Sequence, residues 1–241
     1  MERLDNKLVE IGLANSRTRA QLMIRLGIVL VDDKVVKKNS FLVADNEIKL
    51  LKVVDFFASR GGVKLEAAIK EFGIVFLNKM VLDIGSSTGG FTDCVLRHGA
   101  KQVIAVDVGR EQMVDWLRKD KRVVLHENQD VRLIELEKIK KAEIAVIDVS
   151  FISVLKLLDK LKEINLFEIV CLAKPQFECG REIAKKYRGV ILDEKVRLDV
   201  VDKLVLEFSK INFYLVGSIK SPITGGDGNV EYLLYFKRMD D

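Results

Sequence analysis

One stretch constrains this chain more than any other: Met80-Val81-Leu82-Asp83-Ile84-Gly85-Ser86-Ser87-Thr88-Gly89-Gly90-Phe91-Thr92. An apolar run ends at an acid, breaks into small residues, and resumes as a helical pattern over residues 91–96. This is a buried strand, a glycine turn and a helix N-terminus, the place where an open α/β sheet receives a ligand. Alternation continues downstream, with strands predicted at 103–106, 123–125, 144–147 and 169–173 and helices at 113–117, 134–140 and 152–161. A helix over 63–72 leads in, and a long amphipathic helix follows at 194–210. Strand and helix taking turns specify an α/β fold, a doubly wound, mostly parallel Rossmann-like sheet. Two late strands, 214–219 and 232–236, are neighbours in sequence and predict an antiparallel hairpin at one edge.

The ligand is narrowed by what the loop lacks. A dinucleotide fingerprint needs glycine where Ser87 stands, and a P-loop needs Gly-Lys-Ser/Thr where Phe91 follows Gly90. The loop holds no lysine or arginine, and Asp83 precedes it. The second strand ends in Asp107, whose carboxylate accepts both hydroxyl hydrogens of a ribose lying across the strand tips. An acid-framed glycine loop suits a cationic ligand bearing a ribose, and S-adenosylmethionine is one. The candidate cofactor residues are Asp83, Gly85, Ser86, Ser87, Thr88, Gly89, Gly90, Phe91 and Asp107, with Asp130 placed to meet an adenine amino group and Asp148 beside them. The plainer alternative is a tight turn that binds nothing.

Working groups in such a sheet sit at the carboxyl ends of the strands. Besides Asp83 and Asp107 these ends carry Asp148 and Lys174. An acid and a lysine at two strand tips on the ligand side tune each other's protonation. Taken singly, either is equally well a helix cap or a surface charge.

The first fifty or so residues form a separate small α+β unit. Leu4, Leu8 and Ile11 share a helical face that Gly12 closes; Ser16 caps a second helix whose Ala20, Ile24 and Leu26 face inward, ending at Gly27. Short β-like pieces follow at 28–31, 35–36, 41–43 and 48–51, the first two joined at Asp32-Asp33. The net charge of the chain is only +4, so a nucleic-acid surface requires clustering, and Arg17, Arg19, Arg25, Lys34, Lys37 and Lys38 cluster here. Three cysteines in no C-x-x-C pair, with His98 and His126 the only histidines, predict free buried thiols, no structural zinc and a reducing, cytoplasmic setting. No signal peptide and no membrane-length apolar run are evident.

Arg3-Leu4-Asp5, Gly12-Leu13-Ala14, Ser16-Arg17-x-x-Ala20 and Ile24-x-x-Gly27-x-Val29-x-Val31 resemble the RNA-binding domain shared by a small-subunit ribosomal protein, pseudouridine synthases and several RNA methyltransferases. The departure is Asp32-Asp33, where that family usually carries Asn-Gly. Further on come Ser59-Arg60-Gly61-Gly62-x-Lys64-Leu65, the 83–92 loop, Asp148-Val149-Ser150-Phe151-Ile152-Ser153, Lys174-Pro175-Gln176-Phe177-Glu178 and Gly228-Asn229-Val230-Glu231. In this order they resemble the TlyA/haemolysin A methyltransferases, whose catalytic domain is similar to the FtsJ type of RNA 2′-O-methyltransferase. The resemblance implies a Lys64, Asp148, Lys174 and Glu231 tetrad, with Lys174 handling a ribose hydroxyl and no metal required. It implies S-adenosylmethionine as cofactor, and ribosomal RNA or ribosomal subunits as partner, met by Arg3, Arg17, Arg19, Arg25, Lys37, Lys38 and Arg60. The expected division is 1–51 for RNA binding, 52–62 as linker and 63–241 for methyl transfer. A membrane-lytic protein, a non-catalytic ribosome assembly factor and a dehydrogenase are the competing readings. The missing membrane-seeking segment, the filled tetrad and the missing Gly-x-Gly step weigh against them in turn.

Overall fold

The computed structural model describes residues 1–14, 16–25, 27–50 and 57–239. The chain divides into two compact units, Met1–Ser59 and Arg60–Asp241.

In the first unit β1 (Glu2–Arg3) runs into α1 (Leu4–Glu10), and α2 (Arg17–Arg25) packs against α1. Ser16 caps α2, its Oγ accepting from the Arg19 amide at 3.2 Å. Four short strands follow: β2 (Val29–Val31), β3 (Lys34–Val35), β4 (Leu42–Val43) and β5 (Ile48–Leu50). They pair antiparallel in the order β3-β2-β5, with β4 on β1. Leu4, Leu8, Ala20, Ile24 and Val29 are buried together. Ile11, expected on the same face, is exposed because α1 stops at Glu10 and Ile11 is its C-cap. Leu26 and Leu51 lie outside the described residues. Asp32 and Asp33 take φ of 48° and 60°, so two aspartates make the left-handed turn usually given to Asn-Gly. The Asp32 carboxylate steadies it, accepting from the Glu47 amide at 3.0 Å and from Asn46.

The second unit opens with α3 (Arg60–Phe72), which begins three residues before the expected 63 and so takes in residues 60–62. Then come β6 (Met80–Ile84), α4 (Gly90–Arg97), β7 (Gln102–Val106), α5 (Asp115–Arg118), β8 (Val123–His126), α6 (Leu136–Ile139) and β9 (Ile144–Ile147). The chain continues through α7 (Leu158–Glu163), β10 (Glu168–Ala173), α8 (Pro175–Glu178), α9 (Arg181–Lys186), α10 (Glu194–Ser209), β11 (Phe213–Lys220) and β12 (Tyr232–Arg238). Two expected helices are shorter than their patterns suggest: that at 134–140 is only Leu136–Ile139, and that at 152–161 opens as a 3-10 turn, Val154–Leu157, held at its start by the Ser153 side chain. A second 3-10 turn, Val131–Leu133, is held by Asp130.

The sheet order is β11-β12-β10-β9-β6-β7-β8. Five strands are parallel, and the β11–β12 hairpin joins antiparallel to β10, as the late strands predicted. The core strands are nearly continuous apolar runs because helices cover them. On α10, Val200, Val201, Leu204 and Phe208 are buried, and Phe208 stacks on Phe236 at 4.3 Å. Each such side chain contributes roughly 1.5–3 kcal/mol by leaving water. The chain order reverses direction between β6 and β9, and an open sheet offers its crevice at that switch point. No described helix is long and apolar enough to cross a membrane.

Candidate active site

At the switch point the loop after β6 folds back on β7. The Gly85 amide donates to the Val106 carbonyl at 2.9 Å, and the Gly89 amide to the Ser86 carbonyl at 2.7 Å. Gly85 sits at φ +84°, and a Cβ there would lie 2.7 Å from the Asp148 carbonyl oxygen. Only glycine lets β6 and β9 end side by side here.

Beneath the loop Asp83 is fully buried, its Oδ2 accepting from the Thr92 hydroxyl at 2.5 Å. Burial pushes its carboxyl up to about 7, the Thr92 bond works the other way, and the neighbouring charges of Asp148 and Asp107 add to the rise. Asp107 is fixed by two amides, Ser87 at 2.8 Å and Gly109 at 2.6 Å.

A cavity of about 310 Å³ opens above these residues, walled by Gly85, Ser87, Asp107, Asp130, Asp148 and Phe151 among others. Asp83, Ser86, Thr88, Gly89, Gly90 and Phe91 do not line it; Asp83 lies within β6, and the others form the turn and the first turn of α4. Asp130 reaches the cavity already engaged: Arg132 donates to it from Nη2 at 2.5 Å, from Nε and from its amide, and holds it below the usual carboxylate range.

The four residues expected to form the tetrad come together as two ion pairs. Lys174, just past β10, has its Nζ 2.7 Å from Asp148 Oδ1 and donates to Ser150 Oγ at 2.7 Å. Lys64, on α3, has its Nζ 2.5 Å from Glu231 Oε2. The register pairs Ala173 with Tyr232, so the next residues outward, Lys174 and Glu231, end adjacent strands on the same side of the sheet. Both lysines and Glu231 are buried. Charged groups this enclosed persist only where each has an opposite partner.

The FtsJ-like methyltransferase family matches residues 57–238. The chain belongs to that family. An S4 domain matches residues 2–48. Hemolysin A of Brachyspira hyodysenteriae is 41% identical over 239 residues, spanning 97% of this chain and 99% of that protein. The 16S/23S rRNA (cytidine-2'-O)-methyltransferase TlyA of Mycobacterium tuberculosis is 37% identical over 245 residues, spanning 99% and 91%. A solved Streptococcus thermophilus protein with a provisional hemolysin name superposes with a TM-score of 0.76 at 36% identity, over 100% of this chain and 89% of its own.

In this methyltransferase the sequence pattern left several site residues unassigned. Phe151 lines the cavity, is 89% exposed, and holds φ at +67°, an outlier for a bulky side chain. Its ring lies 5.4 Å from that of Phe177, and the Lys174 ammonium sits 6.0 Å from the Phe177 ring. Ser150 completes the Lys174 contacts. Ser153 and the Val154 amide are tied to the buried Glu178 carboxylate, which fixes the Asp148–Ser153 turn to α8. The one available signal was an aromatic residue between two serines straight after a strand-end acid.

In the S4-like unit Arg3 and Arg17 share a buried partner. Asp5 accepts from Arg3 at 2.9 Å, Arg17 at 3.1 Å and Gln21 at 2.7 Å. Arg25 donates to the Gln21 carbonyl at 3.3 Å, while Lys37 and Lys38 are exposed. Arg60 belongs to the catalytic unit, at the start of α3.

Proposed function

We propose that this chain transfers a methyl group from S-adenosylmethionine to the 2′-hydroxyl of a cytidine in ribosomal RNA, the reaction for which its Mycobacterium tuberculosis relative is named. The observation carrying this reading is the Lys174 ammonium, held 2.7 Å from each of two groups that line the cavity, Asp148 and Ser150.

The residues present suit the donor. Asp107 offers a ribose carboxylate on the cavity wall. Gly85 keeps the backbone low enough for close approach. Gly85, Ser87, Asp107 and Asp148 would therefore hold it, with Asp130 at the adenine end. When bound, S-adenosylmethionine supplies a methyl group already activated on a sulfonium.

The remaining task is the nucleophile. A ribose hydroxyl is a weak one at neutral pH and must be placed in line and relieved of its proton. An ammonium has three hydrogens, so Asp148 and Ser150 together leave at least one for the ribose oxygen. The lysine charge stabilises the negative character that grows on that oxygen while its proton passes to solvent. Glu231, on the adjoining strand end, holds Lys64 of α3 in place, and Lys64 steadies the neighbouring ribose or phosphate. Phe151, backed by Phe177, offers an exposed face on which an unstacked base lies. The amino-terminal unit engages structured rRNA through Arg19, Arg25, Lys37 and Lys38, with Arg3 and Arg17 set by Asp5.

The test is nucleoside mass spectrometry of unmodified ribosomal subunits incubated with the protein and S-adenosylmethionine. The expected product is 2′-O-methylcytidine. A base-methylated nucleoside would overturn the assignment.

A further inference from the structure

Helices α3 and α4 pack on each other away from the cavity wall, and their contact encloses a donor set the methyl-transfer chemistry does not use. Cys94 and His98 lie four residues apart at the end of α4, so they share one face, and that face meets Glu66 of α3. The three donor atoms all lie within 4.8 Å of one another. His98 Nε2 is 2.6 Å from Glu66 Oε2, and Cys94 Sγ is 3.8 Å from the same oxygen.

We propose that Glu66, Cys94 and His98 form a binding site for a thiolate-accepting divalent cation of the zinc class, clamping α3 to α4. A thiolate, an imidazole and a carboxylate are the donor types zinc takes, and three protein ligands leave the fourth tetrahedral position for water. Tetrahedral coordination separates a zinc-bound oxygen and sulfur by roughly 3.5 Å, close to the spacing already present. The His98–Glu66 hydrogen bond opens by roughly 0.7 Å to reach a tetrahedral edge.

The surroundings fit the role. Lys70 holds the other Glu66 oxygen, Oε1, at 2.8 Å, which leaves Oε2 as a single-oxygen ligand. Cys94 is fully buried, while the side chains of His98 and Glu66 are 33% and 22% exposed, so an ion and its water enter from that side. Thiolate and carboxylate together balance the cation's two charges, which keeps the cost of enclosing it low.

The placement gives the site a consequence. Lys64 stands two residues before Glu66 on α3, and α4 starts directly at the glycine loop. A cation here fastens the helix carrying one tetrad lysine to the helix that ends the cofactor turn.

The test uses the full chain, freed of metal with a chelator and titrated with cobalt(II) as a spectroscopic stand-in, then with zinc in competition. One equivalent of cobalt is expected, with sulfur-to-metal charge transfer in the near ultraviolet and visible bands of tetrahedral intensity, both displaced by one equivalent of zinc. Cys94→Ser abolishes the charge-transfer band, and His98→Gln weakens cobalt binding about tenfold or more. His98 is partly exposed, so its variant is checked for an unchanged circular-dichroism spectrum and serves even where Cys94→Ser fails to fold. No saturable band in the wild type, or the same band and affinity in both variants, overturns the site. No RNA enters the measurement, so its failure is independent of the proposed methyl transfer.

Discussion

Glu231 holds its carboxylate 2.5 Å from the Lys64 ammonium, joining the start of β12 to a helix 167 residues earlier in the chain. The side chains are 3% and 10% exposed, so neither has water to fall back on.

Removing one partner strands the other. Glu231→Ala is expected to destabilise the catalytic unit by roughly 3–5 kcal/mol. Adding Lys64→Met should recover most of that loss while leaving methyl transfer abolished. Urea unfolding of the two variants beside wild type checks this; equal stability of single and double variants would refute the coupling.

Asp83 sets a pH dependence. Its folded-state carboxyl is raised from 3.8 to about 7 by burial, so the folded chain binds the proton more tightly than the unfolded one. Stability from this group is therefore greatest below about pH 4 and falls as pH rises toward 7. Asp83→Asn should flatten the decline across that window. Unfolding free energies measured at intervals over that window decide it, and parallel curves for variant and wild type would count against it.

Gly85 and Gly73 make a matched pair. Both hold positive φ, but a Cβ on Gly85 meets the Asp148 carbonyl at 2.7 Å whereas one on Gly73 meets nothing within 4 Å. Gly73→Ala should cost roughly 1–2 kcal/mol of stability and leave cofactor affinity alone. Gly85→Ala should weaken S-adenosylmethionine binding by about tenfold or more, since it moves the strand tip that carries Asp148. Calorimetric titration of both variants separates strain from site damage.

In the amino-terminal unit Arg3, most strongly, then Gln21 and Arg17 hold the buried Asp5 carboxyl well below its usual range. A depressed acid stabilises above its unfolded pKa and loses that effect as pH falls. Asp5→Asn should therefore destabilise the unit at neutral pH, with the deficit shrinking below about pH 3.8. Lys37→Ala with Lys38→Ala should leave stability unchanged and lower the salt slope of rRNA binding by roughly 0.7–0.9 for each phosphate no longer neutralised. Arg17→Ala should affect both.

Much of this was legible in the residue order. The Asp83-to-Thr92 grammar and the strand–helix alternation specified the parallel sheet, and Asp107, Asp148 and Lys174 fell at strand ends because apolar runs stop where strands leave the core. Helix lengths were less legible. Around residue 154 the Ser153 side chain captures a backbone amide and turns the start of an apolar helical spacing into a 3-10 turn. The Phe151 conformation depends on the Glu178 tether to Ser153 and Val154, a contact 24 and 25 residues away that no local pattern encodes. The Glu66, Cys94 and His98 cluster was hidden for the same reason, since its members sit on two helices and form no metal-binding spacing.

The most direct measurement is the rate of tritiated methyl transfer from S-adenosylmethionine to unmodified ribosomal subunits, for wild type and Lys174→Ala side by side, with donor affinity measured for both. Lys174 pairs with Asp148, one of the residues proposed to hold the donor, so the variant is expected to weaken donor binding by only about threefold while losing transfer by roughly a hundredfold or more. Ribose methylation at the wild-type rate in Lys174→Ala would contradict the role assigned to this lysine, and absence of any RNA label with wild type would contradict the proposed reaction itself.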